Sequence, residues 1–244
     1  MRILLANANT TGAVTEICAA SARAVAAPGT EIVPVTPRFG PAIISSRAEN
    51  AIAAHGLLEA LAEHHAGCDA AILAVSYDTA LAAARQLLPI PVIGMTEAAC
   101  LAACLLGGRF GLVTFSSADL YREVITGHGF ASRLSGIAIV AASPYDAASD
   151  PEGVAAKVAE AARGLAADGA DAVLLGGAAL AGMGGLIQGD VPVPLVDGIA
   201  AAVKLAEGLV ALGLPKPRTG GFAAPKARAS LGLGDALSAM LQRP

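Results

Sequence analysis

The chain has 244 residues, of which 55% are hydrophobic and only 3% aromatic, so Ala, Val, Leu and Ile must build its core. This length suffices for one large or two small domains with a sizeable core. A formal net charge of −4 provides no basic surface for nucleic acid. Charge, Gly or Pro interrupts every apolar stretch before the roughly 18 residues of a membrane span. We therefore predict a small-molecule substrate, with neither a nucleic-acid nor a membrane partner.

The N-terminus and the four cysteines indicate a reducing compartment. Met1-Arg-Ile-Leu-Leu-Ala enters a predicted strand at once and has no apolar segment of signal-peptide length. The cysteines form no CxxC pair and have no histidine partner at the spacing of metal ligands; they are Cys18, Cys68, Cys100 and Cys104. We therefore predict buried free thiols, no metal site and a cytoplasmic location.

Predicted strands alternate with Ala-rich helices along the chain, a pattern typical of a parallel α/β sheet. The predicted strands are Arg2–Ala6, Glu31–Thr36, Ala70–Val75, Val92–Gly94, Phe110–Thr114, Gly136–Val140, Ala172–Leu175 and Leu195–Val196. The predicted helices are Thr11–Ala26, Ala48–Ala66, Thr79–Leu88, Glu97–Leu106, Ala118–His128, Glu152–Asp168, Leu180–Gln188 and Ile199–Leu212. Short apolar runs of this kind fit strands that helices cover on both faces.

One segment occurs twice. Asp69-Ala-Ala-Ile-Leu-Ala-Val75 and Asp171-Ala-Val-Leu-Leu-Gly-Gly177 both follow a glycine-containing turn, and Val75 and Gly177 hold the same place in the two copies. This duplication predicts two similar half-domains that face each other, with a cleft between the ends of their paired strands.

The repeat also sets the predicted domain boundaries. We assign residues 1–95 plus about 197–214 to the first half-domain and residues 96–196 to the second. Residues 215–244 form a tail rich in Gly, Pro, Lys and Arg. Such a tail either wraps a neighbouring subunit or is mobile.

Ligands of open α/β sheets bind outside the carboxyl ends of the strands, and this rule selects four loops. In the first loop, Asn9 and Thr10 either cap the next helix or help its free N–H groups to hold an anion. In the third loop, Thr114 and Ser116 are binding candidates, while Ser117 is a natural helix cap. In the fourth loop, the backbone of Gly177 and Ala178 either forms an oxyanion hole or allows close packing.

The second loop, Ser76-Tyr77-Asp78-Thr79, carries the candidate chemistry. Asp78 or Thr79 is a plausible cap for the following helix. Ser76 and Tyr77 have no capping function to explain them, so we predict that they point into the cleft and contact substrate. The sequence contains no Walker loop, GxGxxG, GxSxG or HExxH motif, which argues against nucleotide binding and standard serine or zinc hydrolysis.

Several motifs resemble one family, the hydantoin and allantoin racemases of the aspartate/glutamate racemase superfamily. Asn7-Ala-Asn9-Thr10-Thr11 is similar to the N-P-N-T-T opening of these proteins. Further matches, which extend the resemblance to about Leu214, are Val35–Pro41, Asp78 with Leu81–Arg85, Pro91–Gly94 with Glu97, Arg109–Thr114 and Val196–Lys204. The resemblance implies two Rossmann-like α/β half-domains related by a pseudo-twofold axis, a cofactor-free active-site cleft between their parallel sheets, and frequent homo-oligomers.

The resemblance also implies a pair of catalytic cysteines, one that removes the α-proton and one that returns a proton from the opposite face. Alignment on Asp78 and on Asp197-Gly198 places these thiols at Val75 and Gly177, and neither residue can carry a proton. In a related decarboxylase branch, one cysteine is kept and hydroxyls beside the lost one form an oxyanion hole. By similarity Ser76 takes that role here, although such an enzyme needs the cysteine that Gly177 replaces.

Three functions remain open from the sequence. The first is a racemase-type enzyme acting on a small carboxylate or cyclic amide through Ser76, Tyr77 or Asp78, with substrate held by Asn9, Thr10 and the other loop residues named above. The second is a hydrolase or lyase that uses Ser76 as nucleophile with Tyr77 or Asp78 as activator. The third is a catalytically silent homologue that only binds its ligand.

Overall fold

A computed structural model describes residues 1–143, 146 and 149–242. The chain divides into two compact units: unit 1 comprises residues 1–94 and 203–244, and unit 2 comprises residues 95–202. Each unit contains a four-stranded parallel sheet with helices packed on it, so the predicted α/β class is confirmed. No helix in the described part of the chain is both long and apolar enough to span a membrane.

The elements follow the predicted alternation. The strands are β1 (Arg2–Ala6), β2 (Glu31–Val35), β3 (Ala70–Leu73), β4 (Val92–Gly94), β5 (Phe110–Thr114), β6 (Leu134–Ile139), β7 (Ala172–Gly176) and β8 (Leu195–Asp197). The α-helices in the described ranges are α1 (Gly12–Val25), α2 (Arg47–His64), α3 (Leu81–Leu87), α4 (Met95–Leu106), α5 (Ala118–Gly127), α6 (Pro151–Ala167), α7 (Gly184–Ile187), α8 (Gly198–Leu212) and α9 (Asp235–Leu241).

The two sheets have the same strand order, β2-β1-β3-β4 in unit 1 and β6-β5-β7-β8 in unit 2. Every residue of β3, β5 and β7 is buried, as is every residue of β1 except the first. Strands buried on both faces must be uniformly apolar, which explains the short Ala, Val, Leu and Ile runs in the sequence.

The duplicated aspartates have the same structural role in each unit. The Asp69 carboxylate accepts the N–H of Arg2, at the start of β1, over 2.7 Å. The Asp171 carboxylate accepts the N–H groups of Gly108 and Arg109, just before β5, over 2.8 and 3.0 Å. Asp69 therefore ties the start of β3 to the start of its neighbour β1, and Asp171 ties the start of β7 to the start of its neighbour β5.

The described part of the C-terminal tail packs on its own chain. Helix α9, which the sequence analysis missed, lies against α2 and buries Leu237 and Met240 in the core of unit 1. The Lys216 ammonium donates hydrogen bonds to the backbone carbonyls of Gln86 and Leu88, and burial lowers the pKa of this lysine. Parts of residues 215–242 are thus held against unit 1, and the two alternatives for the tail, wrapping of a neighbouring subunit or mobility, stay predictions.

Glu207 of α8 makes unit 1 sensitive to acid. Its carboxylate accepts hydrogen bonds from Ala27 N–H, Thr30 Oγ1 and Lys204 Nζ over 2.7, 2.9 and 2.8 Å. Burial alone would raise the pKa of this carboxyl, but these donors lower it overall. A depressed carboxyl pKa stabilises the fold at neutral pH, and the contribution is lost as the pH falls below the ordinary value of 4.5 and through the lower folded value.

We therefore expect Glu207→Gln to lower the free energy of unfolding by about 1 kcal/mol at neutral pH. The difference from wild type should shrink as the pH is lowered, because the wild-type carboxyl becomes protonated. Urea denaturation at a series of pH values measures this. A difference that stays constant down to pH values well below the ordinary carboxyl pKa would contradict the explanation.

Candidate active site

Strand register confirms that Val75 and Gly177 occupy equivalent places. Leu73 of β3 pairs with Ala6 of β1, and Leu175 of β7 pairs with Val113 of β5. In each unit, the duplicated position lies two residues beyond the paired leucine, at the carboxyl end of the sheet. The same register makes Asn7 and Thr114, the residues that follow Ala6 and Val113, equivalent to each other. Both are buried, with 0% and 1% of their surface exposed.

Asn7 organises the first loop. Its amide nitrogen donates to Asn9 Oδ1 over 2.9 Å and to Thr15 Oγ1 over 3.1 Å, while its side-chain oxygen accepts the N–H of Asn9. Asn9 and Thr10 were predicted as binding residues from the sequence, whereas no role was predicted for Asn7. The available signal was a polar residue at the end of an otherwise apolar strand, where burial demands hydrogen-bond partners.

The capping role considered for Asn9 or Thr10 is wrong, because the N-cap position of helix α1 is Thr11. The side chain of Thr11 makes no capping hydrogen bond. Asn9 Oδ1 accepts the N–H of Thr11 over 2.9 Å, and Thr10 N–H donates to the carbonyl of Pro41 over 3.0 Å. Within the described ranges, the amide nitrogen of Asn9 has no hydrogen-bond acceptor. This half-buried amide is therefore available as a donor to a ligand.

The second loop is compact and conformationally strained. Asp78 and Ala80 both have positive φ, 46° and 57°, which non-glycine residues adopt at a cost. Val75, Tyr77 and Asp78 are each 6% exposed, and Ser76 is more exposed than these three.

The capping role considered for Asp78 or Thr79 is also wrong. The N-cap position of helix α3 is Ala80, not Asp78 or Thr79, and no side chain caps the helix there. The hydroxyl of Thr79 donates instead to Asn50 Oδ1 on α2, over 2.5 Å. The backbone carbonyl of Asp78 accepts the N–H of Leu81, the first residue of the helix, over 3.0 Å.

In unit 2 the equivalent loops are held mainly by backbone contacts. Thr114 Oγ1 accepts the N–H of Ser116 over 3.1 Å, and Ser117 stands at the N-cap of α5 without the predicted side-chain bond. The turn after β7 is closed by the N–H of Leu180, which donates to the carbonyl of Gly177 over 2.9 Å. Gly177 has φ 144°, a conformation that residues with a side chain rarely adopt, and no atom lies within 4 Å of the place of a Cβ.

Each unit has a carboxylate near the carboxyl ends of its third and fourth strands. In unit 1 the loop after the third strand supplies it, and in unit 2 the fourth strand supplies it. Gly94 and Asp197 are equivalent, because they pair with Leu73 and Leu175. In unit 1 the carboxylate of Asp78 packs against Gly94, where an added Cβ would lie 2.4 Å from Asp78 Cγ. In unit 2 the carboxylate of Asp197 accepts N–H groups of Gly182, Ile199 and Ala200.

No thiol lies in these loops. None of the four cysteines forms a disulfide: Cys18 is in α1, Cys68 precedes β3, and Cys100 and Cys104 are in α4. Cys68 lies at the opposite edge of the sheet from Val75, and burial raises the pKa of its thiol. In the part of the chain that the structure describes, no cluster of His, Cys, Asp or Glu is arranged to hold a metal ion.

The predicted site residues thus fall into two groups. Asn9, Thr10 and residues 75–78 lie at the carboxyl edge of the unit 1 sheet, since β1 and β3 are neighbours. Thr114, Ser116, Gly177 and Ala178 lie at the carboxyl edge of the unit 2 sheet, since β5 and β7 are neighbours. This geometry defines a duplicated α/β protein with polar loops at the same edge of each sheet.

Comparison with known proteins agrees with this class. The family model described as Asp/Glu/hydantoin racemase matches residues 3–206. A hydantoin racemase of Pseudomonas sp. (strain NS671) is 33% identical over 217 residues, 87% of each chain. The structure of an allantoin racemase from Klebsiella pneumoniae is 38% identical, with a TM-score of 0.90 and coverage of 98% of this chain and 99% of that one. An allantoin racemase from Pseudomonas fluorescens also has a TM-score of 0.90, at 33% identity, with coverage of 95% and 100%. The chain therefore belongs to the Asp/Glu/hydantoin racemase family.

Proposed function

We propose that this protein is a cofactor-independent enzyme that removes a proton from the carbon next to a carbonyl group, using side chains other than cysteine. The proposed substrate is a small carboxylate or a cyclic amide. Hydantoins and allantoin, after which the relatives are named, are cyclic amides. The observation that carries the proposal is the pair Val75 and Gly177. They stand at equivalent positions in a chain of this family, at the places to which the resemblance assigns the two thiols.

Stabilisation of the developing negative charge is the first part of the proposed mechanism. Loss of an α-proton places charge on the carbonyl oxygen, and each preorganised donor aimed at that oxygen is worth roughly 3–4 kcal/mol. The Asn9 amide, the Ser76 hydroxyl and the backbone N–H groups of Gly177 and Ala178 are the proposed donors. Thr10, Thr114 and Ser116 complete the proposed set of substrate-binding residues.

Proton removal is the second part, and Ser76, Tyr77 and Asp78 are the candidates for it. A tyrosine with an ordinary pKa near 10 is a poor base at neutral pH. The positive φ of Asp78 and the packing of its carboxylate against Gly94 restrict the position of that side chain. We therefore place Asp78 first among the three candidates.

Deuterium exchange tests the proposal. Hydantoins, allantoin and acidic amino acids are incubated with the protein in D2O, and incorporation at the α-carbon is followed by NMR. We expect exchange with at least one compound, faster than without protein. An acyl-enzyme on Ser76, detected by mass spectrometry, would favour the hydrolase instead. Saturable binding with neither exchange nor product would favour the silent homologue.

A further inference from the structure

The C-terminal segment of unit 1 contains a cationic cavity far along the chain from the loops described above. The cavity has a volume of about 390 Å³. Lys226, Arg228 and Ser230 supply its polar groups, and Pro225 and Leu241 complete its lining. The cavity is open to solvent: Lys226 and Arg228 are exposed, and Pro225 and Ser230 are half-buried.

The three polar residues that line the cavity alternate along the chain. They are separated by Ala227 and Ala229, in the run Lys-Ala-Arg-Ala-Ser, and residues 224–230 contain no helix or turn. Alternate residues of an extended chain lie on the same side. The N–H of Arg228 donates to the carbonyl of Leu241 over 3.1 Å, which fastens the middle of this segment to the end of α9.

The polar groups of the cavity have no partner among the residues that the structure describes. Among residues 1–143, 146 and 149–242, no acceptor or carboxylate pairs with the Lys226 ammonium, the Arg228 guanidinium or the Ser230 hydroxyl. Most lysines and arginines of a surface are simply solvated. Two neighbouring cations and a hydroxyl that line one cavity, however, match the requirements of a doubly charged oxyanion, which arginine binds in a bidentate manner and lysine as a point charge.

The C-terminal segment is positively charged and the rest of the chain is negatively charged, which favours a small ligand. Residues 215–244 include five basic residues and one acidic residue, a net charge of +4, whereas the whole chain carries −4. The rest of the protein therefore has a net charge of −8. Such a body repels an extended polyanion or an anionic surface, but a small anion inside the cavity is screened from it beyond a Debye length of about 8 Å.

We propose that Lys226, Arg228 and Ser230 form a binding site for a small molecule bearing a doubly charged oxyanion group, of which a phosphate monoester is the simplest class. This site is independent of the reaction proposed above. It uses none of the residues of the loops at the carboxyl edges of the sheets.

The test is a titration with inorganic phosphate, followed by ³¹P NMR at constant ionic strength. We expect saturable binding to wild type and a weakening of about tenfold or more in the Lys226→Gln/Arg228→Gln variant. The matched control is Arg218→Gln/Lys157→Gln, which removes the same charge at two exposed positions outside the cavity. The control should bind phosphate within about twofold of wild type, since distant exposed charges are screened.

Two results would overturn the proposal. One is phosphate binding that weakens equally in both double variants, because the effect would then depend on net charge alone. The other is sedimentation of the wild type with vesicles that contain phosphatidylserine, but not with phosphatidylcholine vesicles, when no phosphate binding is detected. That result would make the segment a membrane-binding surface. Circular dichroism of each variant checks that the chain is folded.

Discussion

Replacement of Gly56 by alanine is expected to lower the free energy of unfolding by about 3 kcal/mol. The same change in the middle of a helix ordinarily stabilises a protein, by about 1 kcal/mol. Here the sign is reversed because a Cβ at Gly56 would lie 2.4 Å from the carbonyl oxygen of Phe39. That oxygen belongs to the backbone, so α2 or the loop after β2 must move. Urea denaturation followed by circular dichroism measures the effect.

Gly164 provides the control for this prediction. It also lies inside a helix, α6, but no atom lies within 4 Å of the place of its Cβ. Gly164→Ala should therefore stabilise the protein by about 0.5–1 kcal/mol. Equal effects of the two substitutions would show that α2 does not approach the Phe39 carbonyl as closely as described.

Loss of the Ser76 hydroxyl is expected to have a large effect on catalysis. Removal of one donor from an oxyanion site typically lowers kcat by about 10²–10³-fold. Ser76 is the next residue after Val75 in the loop that follows β3. It is more exposed than Val75, Tyr77 and Asp78, which are all buried. We therefore expect Ser76→Ala to reduce kcat by this factor for whichever substrate shows α-carbon exchange. The effect on KM should be much smaller, because the hydrogen bond strengthens as charge develops.

Ser117→Ala is the matched control for Ser76→Ala. Ser117 also follows a strand end and precedes a helix, but its side chain makes no capping hydrogen bond. Its replacement should leave kcat within about twofold of wild type, since a half-buried hydroxyl without a capping bond contributes little. Activity of Ser76→Ala equal to that of this control would remove Ser76 from the site.

Much of the fold could be predicted from the sequence, because the strands are short apolar runs separated by Ala-rich helices. Strands β1, β4 and β5 have the predicted bounds, and most other ends differ by one or two residues. Helix α9 was missed because it follows a long stretch rich in Gly and Pro. Its signal was Leu237, Met240 and Leu241, three apolar residues at helical spacing, two of which pack into the core of unit 1.

The candidate site could be predicted only in part. The rule that ligands bind at the carboxyl ends of parallel strands selected loops that lie at equivalent places in the two units, and strand register bears out the equivalence of Val75 and Gly177. The helix caps were predicted at the wrong residues in two loops, since a local sequence pattern does not reveal a distant partner, whereas Ser117 does stand at the N-cap predicted for it. Asn50, which accepts the hydroxyl of Thr79, lies 29 residues away in the chain.

The most direct test of the central claim combines thiol alkylation with proton exchange. The protein is treated with iodoacetamide under conditions that modify every accessible cysteine, which mass spectrometry verifies, and α-carbon deuterium incorporation is then measured in D2O. We expect the alkylated protein to exchange the substrate proton at the rate of the untreated one, because the loops at Val75 and Gly177 contain no thiol. Exchange that disappears on alkylation of a folded protein would mean that a cysteine carries the proton after all.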